Sequence, residues 1–169
     1  MAMGRKFTLL YDPAEDRMIW DMEDDAGEAT RIWITQRMCR QFVGALIPRL
    51  PQPGPQVAAE HRAAVQGFEQ AAAMSNFGSA PPVQPTRVTT AGRARAINIA
   101  PTAGRIGLTF DLGEAVQRAV SLDPTAARQM LTLLYALHVQ ASWPVDFWPA
   151  WVAAAAQPAA AGAPTPAVN

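Results

Sequence analysis

The sequence predicts an α+β fold of two tandem βββα units, each an antiparallel meander followed by a helix, packed as a pseudo-twofold pair. Three observations carry this. Sliding residues 4–50 by 88 positions onto 92–138 places Gly4-Arg5 on Gly92-Arg93, Pro13 on Pro101, Arg17 on Arg105 and Arg40-Gln41 on Arg128-Gln129. The same shift matches apolar positions at a period of two, the spacing of one strand face: Met18, Trp20 and Met22 fall on Ile106, Leu108 and Phe110, while Ile97 and Ile99 take the places of Leu9 and Tyr11. Ile32 and Ile34 fall on Val120 and Leu122, and the helix-capping candidate Thr35 falls on Asp123. Each copy is too small to bury a sufficient core alone, so the two are expected to share one.

The elements follow in order. Residues 5–11 alternate as a first strand, Asp12-Pro13-Ala14-Glu15-Asp16 make a turn, and 17–23 make a second strand. Asp24 to Glu28, with Gly27 free to take a positive φ, turn the chain into a third strand ending near Ile34. Connections this short imply antiparallel pairing. Thr35 then caps a helix with the stripe Met38, Phe42, Val43, Leu46, Ile47 and Leu50, which Pro48 brings to an end. This helix is expected to lie across one face of its own sheet.

Residues 51–91 connect the copies as a Pro-rich linker. Within them 56–74 predicts a helix with a weak stripe of Val57, Ala64, Val65, Phe68 and Ala72, and 75–91 reads as a flexible tether. The second copy spans 92–141, with its first turn at Pro101 to Gly104 and its helix opening at Asp123-Pro124, an N-cap with Pro at the first helical position. Residues 142–152 form an arm with four large aromatics, Trp143, Phe147, Trp148 and Trp151, and 153–169 is an Ala/Pro tail expected to be disordered.

Fourteen basic and fourteen acidic residues cancel in the 169-residue chain, so no strong field reaches out to nucleic acid or to an anionic membrane. The single cysteine, Cys39, excludes an intrachain disulfide and suits a reducing compartment; with no apolar run of signal length at the start, a cytoplasmic location is expected. No catalytic constellation emerges. His61 and His138 stand apart, and Cys39 has no metal-ligand or base partner at useful spacing. The acidic run Asp21, Glu23, Asp24, Asp25 and Glu28 lacks the EF-hand pattern and reads as a solvated hairpin. Gly104 and Gly107 precede no helix that would hold an anion. The expectation is therefore a non-enzymatic protein without cofactor or metal.

Two surfaces remain as candidates for binding. Opposite the helix, the first copy presents Leu10, Ile19 and Trp33 where the second has Asn98, Gly107 and Ser121, so the first sheet is apolar on both faces and needs a cover. The 56–74 helix, the aromatic arm, the other copy or a second subunit would serve, the last giving a homodimer. The arm either folds back over its own chain or docks in a partner, since tryptophans make concentrated anchors. The favoured function is a binding or assembly protein, an adaptor or scaffold, that holds a protein partner through Leu10, Ile19 and Trp33 and through Trp143, Phe147, Trp148 and Trp151.

The alternative rests on arginine. Residues 87–128 carry Arg87, Arg93, Arg95, Arg105, Arg118 and Arg128 against Asp111, Glu114 and Asp123. Their planar forks suit phosphate, while pairing with the acidic 21–28 hairpin would leave them purely structural. Tandem units of several antiparallel strands and a helix resemble the PUR-repeat and Whirly-type proteins, which bind single-stranded nucleic acid on curved sheets. The resemblance implies that Trp33 would stack on bases and that Arg93 and Arg95, with Arg105 and Arg118, would meet the backbone.

Overall fold

The computed structural model describes residues 2–75, 77–78, 83 and 88–157, with side chains from residue 6 onward. Seven strands, β1 (Ala2–Asp12), β2 (Arg17–Asp24), β3 (Ala29–Ile34), β4 (Val88–Arg93), β5 (Ala96–Thr102), β6 (Arg105–Gly113) and β7 (Val116–Leu122), make one sheet in the order β4-β3-β2-β1-β7-β6-β5. Four helices accompany them: α1 (Gln36–Leu46), α2 (Arg62–Ser75), α3 (Pro124–Gln140) and α4 (Ala150–Ala156). The predicted strand, strand, strand, helix order recurs in both copies, and β4 is an additional strand ahead of the second.

The two copies join by exchanging their leading strands. Ala2–Gly4 of β1 pairs in parallel with Arg118–Val120 of β7, and at the same 88-residue offset Thr90–Gly92 of β4 pairs in parallel with Thr30–Ile32 of β3. The outermost strands of the sheet order, β4 and β5, are in fact two halves of one bent stretch. The Ala94 amide still donates to Trp33 O at 3.0 Å, and the next amide, Arg95, donates to Asp111 O of β6 at 2.7 Å. A Cβ on Gly92 would stand 3.3 Å from that of Leu112, a tight contact that a side chain here would relieve only by moving Leu112 a few tenths of an ångström. Through this bent stretch the strand pairings link β3 at one end of the order to β6 at the other.

The shift of 88 does not hold through the first hairpin. Leu9 pairs with Trp20 and Ile99 with Leu108, so Ile97 and Ile99 correspond to Phe7 and Leu9 instead of Leu9 and Tyr11. The second copy has two more residues at the β4–β5 kink and two fewer in the turn. That turn is Ala103-Gly104 alone, with φ of 45° and 77°, the left-handed pair that a two-residue hairpin needs. Pro101 accordingly lies in β5 opposite Ile106.

Inside the ring the inward faces of both copies form one core. Trp20 meets Phe110 at 4.8 Å between ring centroids and also packs on Phe7 and Phe42. Thr35 Oγ1 accepts the Met38 amide and Asp123 Oδ1 the Ala126 amide, so both predicted caps start their helices. α1 ends at Leu46 and passes into a 3-10 turn that contains Pro48. The helices do not keep to their own sheets: α1 touches β5 as well as β2, and α3 touches β1 as well as β6 and β7. Ring closure brings each leading strand under the other copy's helix.

The linker helix differs from expectation. It begins at Arg62, and its buried positions are Gln66, Gln70 and Ala73, whereas Phe68 is 77% exposed. The apolar stripe is not the packed face, because α2 lies on α3 and α4 and meets a buried arginine there. The tail also starts later than predicted: Ala153–Ala156 belong to α4, which buries Val152, while residues 158–169 lie outside those described.

Candidate functional site

The aromatic arm turns inward. Trp143 and Trp148 are 6% and 7% exposed and belong to the common core, with Phe147 and Trp151 half-buried beside it. These four residues cover the chain's own apolar surface, so the two buried indoles are not free to anchor a partner. Their placement is specific. Trp143 Nε1 donates to Asp16 Oδ1 at 2.8 Å, and Tyr11 donates to the same oxygen at 2.9 Å, which raises the Tyr11 pKa. The guanidinium of Arg40 lies 4.9 Å over Phe147, and that of Arg128 lies 5.8 Å over Trp151. Arg40 and Arg128 are the pair that the 88-residue shift equates, so each copy contributes one arginine to hold the arm.

Arg128 is itself buried. Its Nη2 donates to Gln66 Oε1 at 2.6 Å and its Nη1 to Gln70 Oε1 at 3.4 Å, while Gln70 Nε2 donates to Arg128 O at 2.7 Å and Thr132 Oγ1 at 2.8 Å. Burial lowers its pKa, partly opposed by the charge of Glu69. No motif marked this cluster, since its members lie some sixty residues apart.

The opposite, outward face of the first copy holds the other candidates. Leu10 pairs with Ile19, Ile19 with Trp33, and Trp33 with Arg93, so the four form one rung across β1, β2, β3 and β4. Leu10 is 41% exposed, Trp33 half-buried, Arg93 exposed and Ile19 buried. The equivalent rung of the second copy is Ala100, Gly107 and Ser121; Asn98 pairs with Thr109 instead. A cover that the sequence reading overlooked reaches the first face: Val83 of the linker is buried and its amide donates to Thr8 Oγ1 at 2.9 Å. Apolar residues are sparse in the linker tether, so its sequence gives no sign of a contact that one valine suffices to make.

The remaining arginines do not converge there. Arg95 packs its guanidinium where a side chain on Gly113 would fall. Arg105 donates to Ser121 Oγ and O, and Arg118 of β7 donates to Thr30 of β3 and to Thr90 of the exchanged strand β4. Arg87 lies outside the described residues. The acidic hairpin is used within its own copy. Asp21 receives Arg31 through two bonds of 2.8 Å, which raises the Arg31 pKa, and Asp24 accepts the Ala26 and Glu28 amides. For Asp21 and Asp24 of the hairpin, and for Arg105 and Arg118 of the second copy, these partners stand in place of the expected pairing between hairpin and arginines.

Cys39 is buried in the core, and desolvation pushes its thiol up to about 12, which keeps it protonated and inert. His61 is exposed in a 3-10 turn; His138 is buried, and burial lowers its pKa. Among the described residues no group of three His, Cys, Asp or Glu could hold a metal, and no helix is long and apolar enough to cross a membrane. Comparison with known proteins gives no match: no family model fits the sequence, and no curated protein or solved structure is similar to it.

Proposed function

We propose that this is a non-enzymatic binding or assembly protein that carries a protein partner on the outward face of its first copy. The rung Leu10, Ile19, Trp33, Arg93 is the observation that supports this reading. It combines a partly exposed tryptophan and an exposed arginine, residue types that concentrate energy in interfaces, with a partly exposed leucine beside them. The equivalent rung of the second copy has only small side chains, so the asymmetry belongs to this face and not to the fold. A second copy of the chain is the partner to test first, giving a homodimer, and the buried thiol of Cys39 suits the reducing cytoplasm.

Sedimentation equilibrium of the full chain against Leu10→Asp and Trp33→Ala separates the cases. Dimeric wild type and monomeric variants of unchanged melting temperature support the reading; a monomer at all concentrations removes self-association from it. One observation favours a second reading, a single-stranded nucleic-acid binder: Trp33 and Arg93 stand side by side in register, a base-stacking ring next to a phosphate-binding fork. Anisotropy of labelled single-stranded DNA and RNA, titrated at low and physiological salt, tests it. Salt-sensitive binding that Arg93→Ala abolishes would make it the function, and flat curves at low salt would end it.

A further inference from the structure

Gln66 and Gln70 turn inward to meet Arg128, so the apolar stripe of α2 is left on the outside. Ala64, Phe68, Ala71 and Ala72 recur at intervals of three and four, the spacing of one helix face, and all four are exposed. Phe68 is the most exposed large apolar side chain among the described residues. The inner side is already occupied: a Cβ on Gly67 would stand 3.6 Å from that of Trp151 on α4, and Gln129 of α3 donates to Ala73 O at 2.8 Å. Isolated apolar side chains on a surface are ordinary, whereas a contiguous apolar stripe marks an interface.

The charges beside the stripe narrow what it can meet. Arg62 and Glu69 are both exposed, and a spacing of seven sets them two turns apart on one flank. Arg62 donates through Nε to Val57 O at 3.3 Å, and Glu69 is near enough to Arg128 to act on its charge. Among the described residues neither forms an ion pair. Against a parallel copy of α2, each of these charges would meet its own kind. Against an antiparallel copy related by a twofold axis, Arg62 of one chain lies opposite Glu69 of the other, once on each side of the axis. That register also places Phe68 of each chain beside Ala64 of the other, so a ring fills the space that an alanine leaves. Charge and shape are met by one arrangement.

We propose that the exposed stripe of α2 is an interface for a second copy of this chain, the two helices antiparallel about a twofold axis with Phe68 on Ala64 and Arg62 paired with Glu69. It shares no residue with the outward sheet face and holds whether or not that face binds anything. A fourteen-residue helix is about 21 Å long at about 1.5 Å per residue, and a single helix pair offers less than the roughly 1,200 Å² of a stable interface. The association is therefore reversible, with a dissociation constant in the micromolar range.

Sedimentation equilibrium of the full chain carrying Leu10→Asp, which silences the sheet face, tests this up to millimolar concentration. A monomer–dimer equilibrium is expected there. Phe68→Asp should raise its dissociation constant at least tenfold and Arg62→Glu several-fold, at unchanged melting temperature. Val139→Asp, at an exposed apolar position on α3, should leave it unchanged. Adding Glu69→Arg to Arg62→Glu should restore the original constant, because the pair is then reversed and not removed. A monomer at every concentration, equal losses from Phe68→Asp and Val139→Asp, or no recovery in the reversed pair at an unchanged melting temperature would overturn the proposal. If Glu69→Arg unfolds the chain through its effect on Arg128, the comparison of Phe68→Asp, Arg62→Glu and Val139→Asp decides it.

Discussion

The Arg128 guanidinium is the residue on which the helical layer turns. It is removed from water with no carboxylate at ion-pair distance among the described residues, and the side-chain oxygens of two glutamines of α2 accept its hydrogen bonds. A buried cation without such acceptors would be strongly unfavourable, so α2 turns its polar stripe inward and leaves Phe68 in water. Substituting Arg128→Ala orphans Gln66 Oε1 and Gln70 Oε1 and removes the contact with Trp151. At about 1–3 kcal/mol for each of these two buried groups left unsatisfied, the variant should lose about 2–6 kcal/mol in urea unfolding. A loss under 0.5 kcal/mol would mean that this cluster is solvated. None of this was legible from the sequence, because an apolar stripe search ranks Val65 and Phe68 above Gln66 and Gln70, and the arginine that reverses the ranking is distant along the chain. The caps were legible, since Thr35 and Asp123 act on amides three residues away and need nothing from the rest of the fold.

At the scale of elements, strands were easier to read than their partners. Met18, Trp20 and Met22 alternate because one face of β2 is core, and that pattern is local. The exchange of leading strands is not local: β4 reads as polar linker since Thr89, Ala91 and Arg93 are all exposed. The two-residue difference between hairpins was hidden as well, because Pro13 and Pro101 align by sequence yet occupy a turn and a strand. The arm illustrates the opposite case, where composition located an element but left its direction open. Four aromatics had to be buried somewhere, and Asp16, Arg40 and Arg128 on three separate elements decide that it is on this chain. Ending the chain after Ser142 removes Trp143, Trp148 and Val152 from the core. The truncated protein is expected to lose cooperative thermal unfolding and to bind a hydrophobic dye; an unchanged melting temperature would show the arm to be an appendage.

Over the whole molecule, the two copies make a single folding unit. Each supplies a strand to the other's sheet and a helix that touches the other's leading strand, and the Trp20–Phe110 contact lies between them. The predicted pseudo-twofold architecture is present, and what the sequence concealed is that the halves are interlocked. The outward faces break the symmetry of this frame: one keeps Leu10, Ile19 and Trp33 while its counterpart keeps Ala100, Gly107 and Ser121. The most direct measurement is to express residues 1–87 and 88–169 separately and record near-ultraviolet circular dichroism of each and of their mixture. Interlocked copies predict that neither fragment alone shows the fixed tryptophan signal of the intact protein and that mixing restores it. Cooperative unfolding of either fragment by itself, with that signal intact, would contradict the account.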